Sequence, residues 1–300
     1  MESLTAADGR HARDNGTWGR EKLAFLDRFA PAALTAAQSK RTRVYLDLFA
    51  GPGVNLARGS SAEFDGSPLR ALTISVPAKP PGESRVTFTH AWFVNRDSRD
   101  HAALVARVTD RQAVGRVMVP ARGIRCWHHD ANEFLPTLLD AIHPKSYLFV
   151  FADMEAPRQL PWTSVEMLRR RRGHESVDLY MLFPLDMALK RLLPYRQRYE
   201  DQHAEVLTTF YGDATWRRCR EHRVSDAHRH AVGRCLLDAY LMRLRTLWRF
   251  ADVVADIRRG RKQRLYQMLF ATDHPAAERI ARGAGEAARR DQQPQLGLEF

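Results

Sequence analysis

The stretch that decides the fold is VYLDLFAGPG, residues 44–53. This apolar, β-forming run contains Asp47 and Phe49 and is followed by the glycines Gly51 and Gly53. Such a pattern predicts a buried parallel strand that stops at a tight, ligand-facing turn. Glycine admits backbone angles that other residues avoid, and its missing side chain lets a ligand approach the main chain. We therefore expect this turn to hold a ligand. The alternative is a purely structural turn of an α/β protein.

Length and composition are those of a globular protein. The chain has 300 residues, of which 44% are hydrophobic and 27% are charged. That is enough for one large α/β domain with a substantial core, or for one domain with a small appendage. No apolar run is long enough to span a bilayer, and the first residues lack the apolar segment of a secretory signal. We expect a cytoplasmic protein without membrane contacts.

The cysteines are few and scattered. There are three of them, Cys126, Cys219 and Cys235. An odd count without CxxC spacing argues against a disulfide framework and against a zinc site. Cys126 lies in a predicted strand and is expected to act as a small buried apolar residue. We therefore expect no metal in this protein.

The chain is strongly basic. Its net charge of +12 would attract a polyanion, and nucleic acid is the usual partner of such a surface. The alternative is that an arginine-rich coding bias produces a solvated charged face. Two basic runs, 169–172 and 258–264, stand out. The candidate nucleic-acid contacts in them are Arg169, Arg170, Arg259, Arg261 and Lys262.

Apolar runs alternate with helical patterns along most of the chain. The predicted strands are 44–49, 86–94, 123–128, 146–152 and 177–183. Strands that alternate with helices predict a doubly wound, mostly parallel α/β sheet. Right-handed crossovers place the carboxyl ends of such strands on one edge, where ligands of these sheets bind.

The alternation breaks after residue 184. A largely helical stretch follows, and two strands joined by the basic run come after it, so we expect an insertion and then an antiparallel pair whose last strand inserts beside the fifth. The predicted organisation is a loose lead-in (1–17), a core (18–184), a helical insertion with a long helix (185–247), the terminal strand pair and a helix (248–282), and a flexible tail (283–300).

Acidic or amide residues follow four successive predicted strands. They are Asp47, then Asn95 and Asp97, then Asp130, and finally Asp153. Asp and Asn are common turn formers, so one such residue would mean little. Four in register at one sheet edge indicate a binding site. Glu155 is a candidate general base beside them, with a solvated loop residue as the alternative.

The spacing Asp47-x-Phe49-x-Gly51-x-Gly53 resembles the first motif of S-adenosylmethionine (SAM)-dependent methyltransferases. This resemblance implies that SAM is the cofactor. The loop that holds its methionine end would comprise Asp47, Phe49, Ala50, Gly51, Pro52 and Gly53. It further implies that Asn95 and Asp97 contact the ribose and Asp130 the adenine, while Asp153 and Glu155 face the methyl acceptor as catalytic residues.

Several segments together resemble the three-Cys-motif partner family. They are 45–53, 66–72, 153–162, 177–184 and 266–275, in matching order. The resemblance implies a methyltransferase-like, Rossmann-like sheet of seven strands. That family is named for a neighbouring cysteine-motif protein similar to radical-SAM enzymes, and it is found with mobile elements and phage-defence systems. A protein of that kind is therefore a candidate partner.

The chain departs from that family at two places. Val94-Asn95-Arg96-Asp97 lacks the family's glutamate, and Asp153-Met154-Glu155-Ala156-Pro157 replaces its Asp-Pro segment. The Asp/Asn-Pro-Pro-aromatic motif of nucleobase amino-methyltransferases is absent, and no Pro-Cys nucleophile follows the fourth strand. These absences leave three alternatives: methylation of another nucleophile, an unusual nucleic-acid reaction, or a binding protein with a degraded site.

The sequence predicts a SAM-dependent methyltransferase of unknown acceptor. The alternative is a non-catalytic component that binds nucleic acid or the cysteine-motif partner. The last residues, Gln295–Phe300, resemble the short peptides that bind the bacterial sliding clamp by presenting leucine and an aromatic to an apolar groove. The alternative for this tail is that it packs on its own domain.

Overall fold

The computed structural model describes residues 4–79, 84–170, 176–193, 200–224, 231–259, 263–279 and 283. Its centre is a seven-stranded sheet in the order β11-β12-β10-β9-β2-β7-β8. The strands of this sheet are β2 Arg43–Asp47, β7 His90–Asn95, β8 Ile124–His128, β9 Tyr147–Ala152, β10 Val177–Phe183, β11 Phe250–Arg259 and β12 Gln263–Thr272.

The strands from β10 to β8 are all parallel to their neighbours. β12 is antiparallel both to β10 and to β11. The expectation of a mostly parallel, Rossmann-like doubly wound sheet is wrong. The sheet is mixed, and its order differs from the Rossmann order 3-2-1-4-5-6. The physical reason is the short connection between β11 and β12, because strands joined by a hairpin run antiparallel. The narrower prediction that the last strand inserts beside the fifth predicted strand is confirmed by the pairing of β12 with β10.

The sheet is buried on both faces. Along β9, Leu148, Val150 and Ala152 pack into one core, whereas Tyr147, Phe149 and Phe151 pack into the other. Successive side chains of a strand point to opposite faces, so a strand covered on both faces is a continuous apolar run. This is why the sequences of β2, β9 and β10 are mostly apolar.

Helices cover both faces. α1, α2 and α3 contribute to one core, and α4, α5, α7 and α9 contribute to the other. The helices are α1 Thr17–Ala36, α2 Ser67–Ala71, α3 Ser98–Ala113, α4 Ala131–Ala141, α5 Trp162–Arg170, α6 Lys190–Leu192, α7 Glu200–Tyr211, α8 Arg218–Val224 and α9 Ala231–Leu247. Among the described residues, none of these helices is long and apolar enough to cross a membrane.

The described part of the N-terminal segment, from residue 4 onward, forms part of the packed structure. Residues 1–17 were predicted to be a loose lead-in, but β1 Arg13–Asn15 pairs in parallel with β3 Val54–Ala57. β3 pairs in turn with β4 Glu63–Asp65. A second small sheet joins β5 Ser75–Pro77 to β6 Arg85–Thr87. The β1–β3 pairing brings the N-terminal segment to the turn that follows β2.

A disulfide joins α8 to α9. Cys219 and Cys235 are bonded, with their Cα atoms 5.4 Å apart. The odd cysteine count argued against disulfides, and that expectation is wrong for Cys219 and Cys235. The two cysteines are 16 residues apart in sequence, and only the packing of two helices brings them together. Cys126 has no disulfide partner and is half-buried. Its burial raises the pKa of the thiol to about 12, which fits the predicted apolar role.

Candidate functional site

A cleft of about 380 Å³ lies where the carboxyl ends of β2, β7, β8 and β9 meet. We call it the strand-end cleft. Six residues singled out in the sequence line it together: Phe49, Asn95, Asp97, Asp130, Asp153 and Glu155. They come from separate parts of the chain, and the parallel strands bring them to one edge.

Asp47, the acidic residue of the opening motif, does not line this cleft. It is fully buried. Its carboxylate accepts a hydrogen bond from Ser67 Oγ at 2.6 Å and one from the Phe49 amide at 3.2 Å. Tyr45 Oη donates a longer one at 3.4 Å. Burial raises the pKa of Asp47 to about 7. Asp47 thus holds the turn together from inside, and Ser67 is its main partner.

The glycine turn is likewise bonded internally. The amide of Gly51 donates to Asn95 Oδ1 at 2.7 Å, and Asn95 Nδ2 donates to the carbonyl of Gly51 at 2.9 Å. The Pro52 carbonyl accepts from Arg107 Nη1 at 2.7 Å. Gly51 and Gly53 have φ of 67° and 87°, a region that glycine enters without steric cost. Asn95, which the resemblance places at the ribose, bonds to both the amide and the carbonyl of Gly51 and also lines the cleft.

Asp97 and Asp130 each begin a helix. Asp97 Oδ1 accepts the amides of Arg99 and Asp100 at the start of α3. Asp130 Oδ1 accepts the amides of Asn132 and Glu133 at the start of α4. The Arg99 side chain, together with the backbone amides of Asp100 and Arg99, lowers the pKa of Asp97 to about 2. Because Oδ1 takes the helix bonds, Oδ2 of each carboxylate is left for the Arg pairs at the surface and for a ligand.

Asp153 occupies the most unusual position at this edge. Its Oδ2 pairs with Lys22 Nζ of α1. Its Oδ1 is buried and has no hydrogen-bond partner among the residues that the structure describes. A buried acceptor without a donor costs free energy, on the order of 1–3 kcal/mol. Such an oxygen is a place where a ligand's N–H or O–H would be stabilised.

Glu155 is more exposed. Its side chain is 71% accessible, and its Oε1 lies 3.5 Å from Arg13 Nη1. Arg13 also donates to Asp100 Oδ2 through Nε at 3.1 Å. The Arg13 guanidinium sits over the glycine turn, 3.7 Å from where a side chain on Gly51 would begin. A cation therefore lies between the cleft and the turn.

Sequence reasoning missed Arg13 and Lys22. Arg13 lies in the segment taken as a lead-in, and Lys22 lies in a predicted helix far from every motif. Both reach the site through tertiary contacts, namely the β1–β3 pairing and the packing of α1 on the sheet. No local signal in the sequence marks either residue.

A second cavity of about 420 Å³ shares Asp153 and Glu155 with the strand-end cleft. We call it the side cavity. Its other walls come from β1, α1, β10, the segment Leu185–Leu192 and the β11–β12 pair. They include Asn15, Lys22, Arg58, Met187, Arg191 and Tyr266. Two cavities therefore meet at the end of β9.

The predicted nucleic-acid contacts do not gather at these cavities. Arg169 pairs with Asp273 at 2.6 Å and donates to the Leu247 carbonyl at 2.9 Å. Arg170 pairs with Glu166 at 3.5 Å. Arg259 is the last residue of β11, and the structure describes its backbone only. Arg261, Lys262 and the clamp-like Gln295–Phe300 lie outside the described residues.

Among the described residues, no group of three or more His, Cys, Asp or Glu side chains is placed to hold a metal ion.

Comparison with known proteins adds little. No protein-family model matches the chain, and no curated protein matches it either. Among solved structures, a Legionella pneumophila protein of the family designated DUF519 is similar to it with 9% sequence identity. The match covers 92% of this chain and 93% of that one, with a TM-score of 0.45. A likeness at this level carries no argument about function.

Proposed function

We propose that the protein is a cytoplasmic SAM-dependent methyltransferase of the three-Cys-motif partner type. The strand-end cleft would hold the cofactor and the side cavity the methyl acceptor. One observation carries the proposal: the two cavities meet at Asp153, whose Oδ1 is buried without a partner among the described residues. A transferase that joins two substrates needs two sites that touch at one functional group.

The residues of the cleft fit the cofactor in size and chemistry. A volume of about 380 Å³ lies within the range of about 300–1,000 Å³ that is usual for small-molecule sites. Asp97 and Asp130 line the cleft, with Oδ2 outside the helix caps. A carboxylate oxygen is a strong acceptor for ribose hydroxyls and for an adenine amine. Phe49 supplies apolar surface.

The methionine end would be held differently from the sequence expectation. Asp47 is fully buried and hydrogen-bonded to Ser67. It would therefore fix the conformation of the turn and would not contact the cofactor. Arg13 lines the cleft beside the turn. A guanidinium matches the planar geometry of a carboxylate. Arg13 would therefore take over the contact to the methionine carboxylate.

When bound, SAM supplies a methyl group on a positively charged sulfur, which an acceptor nucleophile can attack. Asp153 Oδ1 would accept the acceptor's N–H or O–H and take its proton as the new bond forms. Lys22 holds the other oxygen, Oδ2, and so fixes the carboxylate in one orientation. The contribution of the protein is thus positioning together with removal of one proton.

A second candidate function has its own support. Asp47, Asn95 and the glycine turn satisfy one another. A turn whose polar groups already have hydrogen-bond partners within the protein does not need a cofactor to supply them. This favours a non-catalytic component that binds nucleic acid or a radical-SAM-like cysteine-motif protein, with the sliding clamp as a further partner for the tail.

Isothermal titration calorimetry with SAM separates the two functions. We expect micromolar binding to the purified protein and about tenfold weaker binding for Asp97→Asn. Asparagine caps a helix as well as aspartate does, so α3 is kept while a charged acceptor is lost. Asp238→Asn, on the exposed side of α9 and remote from the cleft, is the matched control and should bind like the parent protein. Absence of binding at millimolar SAM would refute the methyltransferase.

A further inference from the structure

Charged side chains of both signs line the two cavities. Apart from the shared acidic residues at the end of β9, the cleft is lined by Arg13, Arg96, Asp97, Asp130 and Arg158, and the side cavity by Asp14, Lys22, Arg58 and Arg191. Both cavities share Asp153. Arg58 and Arg191 give the side cavity groups that bind an anionic ligand, and Asp97 and Asp130 give the cleft acceptors for the hydroxyls of a different ligand.

Both cations are accessible to a ligand. The Arg58 side chain is 54% exposed although it pairs with Asp14 at 2.7 Å. Arg191 lies on α6 and is exposed. They come from distant parts of the chain, yet they line one cavity of about 420 Å³. Arginine binds phosphate oxygens through two parallel N–H groups, so a phosphate is the anion that such walls favour.

Tyr266 adds an aromatic surface to the same cavity. It lies on β12 opposite Ile257 of β11, and both residues line the cavity. Its side chain is half-buried. Tyr266 lines the cavity together with Asp153 and Glu155 at the end of β9, and burial with these two carboxylates raises the pKa of its hydroxyl. Aromatic rings in single-strand binding sites stack on bases of any sequence.

We propose that the side cavity takes one unpaired nucleotide of a nucleic acid, with its phosphate at Arg58 and Arg191, its base at Tyr266, and its reacting N–H or O–H at Asp153. A base within a duplex cannot reach such a cavity unless it is extruded, so single-stranded nucleic acid is the substrate class. The net charge of +12 suits a polyanion. This inference rests on the proposed methyl transfer for its chemistry.

The reaction balances without a further reactant. A bond forms between the nucleotide's nitrogen or oxygen and the methyl carbon, and the carbon–sulfur bond breaks. The electron pair of that bond stays on sulfur, which becomes a neutral thioether. The proton of the nucleotide's N–H or O–H passes to Asp153 Oδ1.

The test is fluorescence anisotropy with labelled 12-nucleotide single strands of mixed sequence, as RNA and as DNA, over a range of salt concentrations. We expect Arg191→Gln to weaken binding about fivefold and to lower the salt slope by about one, because one phosphate contact is lost. Arg116→Gln removes the same charge from an exposed site outside both cavities and should leave the slope unchanged.

Tyr266 is tested by a pair of variants. Tyr266→Leu should weaken binding about tenfold through lost stacking, whereas Tyr266→Phe keeps the ring and should bind within about twofold of the parent protein. Equal binding by the Leu and Phe variants would overturn the stacking role even if Tyr266→Leu lowers stability, because both remove the same hydroxyl. Equal binding by Arg191→Gln and the parent protein would overturn the phosphate role.

The outcomes separate this inference from the proposed function. If SAM binds by calorimetry but no cavity variant changes affinity for the strands, the nucleotide inference fails and the methyltransferase remains. If the strands bind through Arg191 and Tyr266 but SAM does not bind, the methyltransferase fails and the cavity remains a nucleic-acid site. Competition by a nucleoside monophosphate as strong as that of the 12-nucleotide strand would contradict a polymeric substrate.

Discussion

The turn after β2 and the end of β9 lie at the same sheet edge and differ in one respect. At the turn, Asp47 and Asn95 have all of their principal partners inside the protein. At the end of β9, Asp153 has one oxygen paired with Lys22 and one buried without a partner among the described residues. The side chains of Asp47 and Asn95 therefore bond within the protein, whereas Asp153 Oδ1 is the buried oxygen for which we propose a ligand.

The difference shows that the residues of a motif can shape a site without contacting its ligand. The turn carries the positive-φ glycines Gly51 and Gly53 and shapes the edge, while Asp153, for which we propose the chemistry, follows β9, the strand beside β2 in the sheet. Ligand binding needs unsatisfied groups, because a group bonded within the protein must break that bond before it can bind anything else.

The largest effect is expected at the turn and on stability. Asp47→Ala leaves the hydroxyls of Ser67 and Tyr45 and the amide of Phe49 without their acceptor, so we expect a loss of about 3 kcal/mol in the free energy of unfolding. Urea denaturation measures it. Asp238→Ala, an exposed change on α9, should stay within about 0.5 kcal/mol of the parent protein. Equal losses for the two variants would contradict the structural role of Asp47.

The next effect is expected at the end of β9 and on chemistry. Asp153→Asn keeps the size of the side chain but removes the proton acceptor, so methyl transfer should fall about a hundredfold or more. The measurement is tritium transfer from labelled SAM to single-stranded oligonucleotides, with the Kd for SAM unchanged. Glu133→Gln, an exposed carboxylate outside both cavities, should leave transfer unchanged. Full activity of Asp153→Asn would assign the proton to another group.

The pH dependence of stability separates the two regions further. The pKa of Asp47 is raised from 3.8 to about 7 by burial, so between these values the folded protein holds a proton that the unfolded chain has released. Stability from this group is therefore present in full below about pH 4 and is lost as pH rises towards 7. The slope approaches about 1.4 kcal/mol per pH unit.

Buried Asp178, with its pKa raised to about 6, adds a change of the same sign. Urea denaturation at a series of pH values gives the free energy of unfolding as a function of pH. In Asp47→Asn the part of the slope that comes from Asp47 should disappear, and in Asp178→Asn only the part that comes from Asp178. Identical slopes for Asp47→Asn and the parent protein would mean that Asp47 does not hold its proton in the folded state.

The smallest effect concerns the glycines. Gly53 and Gly59 both have positive φ, but a Cβ on Gly53 would lie 3.0 Å from Leu104, whereas one on Gly59 would meet nothing within 4 Å. Gly59→Ala should cost about 1 kcal/mol from backbone strain alone. Gly53→Ala should cost roughly twice as much because of the added contact. Thermal unfolding compares them, and equal costs would show that the turn relaxes freely.

The sequence predicted which carboxylates meet at the edge of the sheet better than it predicted the side chains that pair with them. The continuous apolar run of β9 and the polar residues after each strand predicted that Asp97, Asp130 and Asp153 would meet, and they line one cleft. The pairing of Lys22 with Asp153 was invisible, because it joins residues 131 positions apart. Local patterns report local structure, and ion pairs across a sheet depend on how its layers pack.

By itself the sequence determined which segments become strands of the central sheet and that glycine follows β2, since burial on both faces and positive φ each demand particular residue types. Only the tertiary structure decided that the sheet is mixed, that Cys219 meets Cys235, that Asp47 faces inward and that Arg13 reaches the cleft. These features arise from contacts between distant parts of the chain, and no local period or motif encodes such contacts.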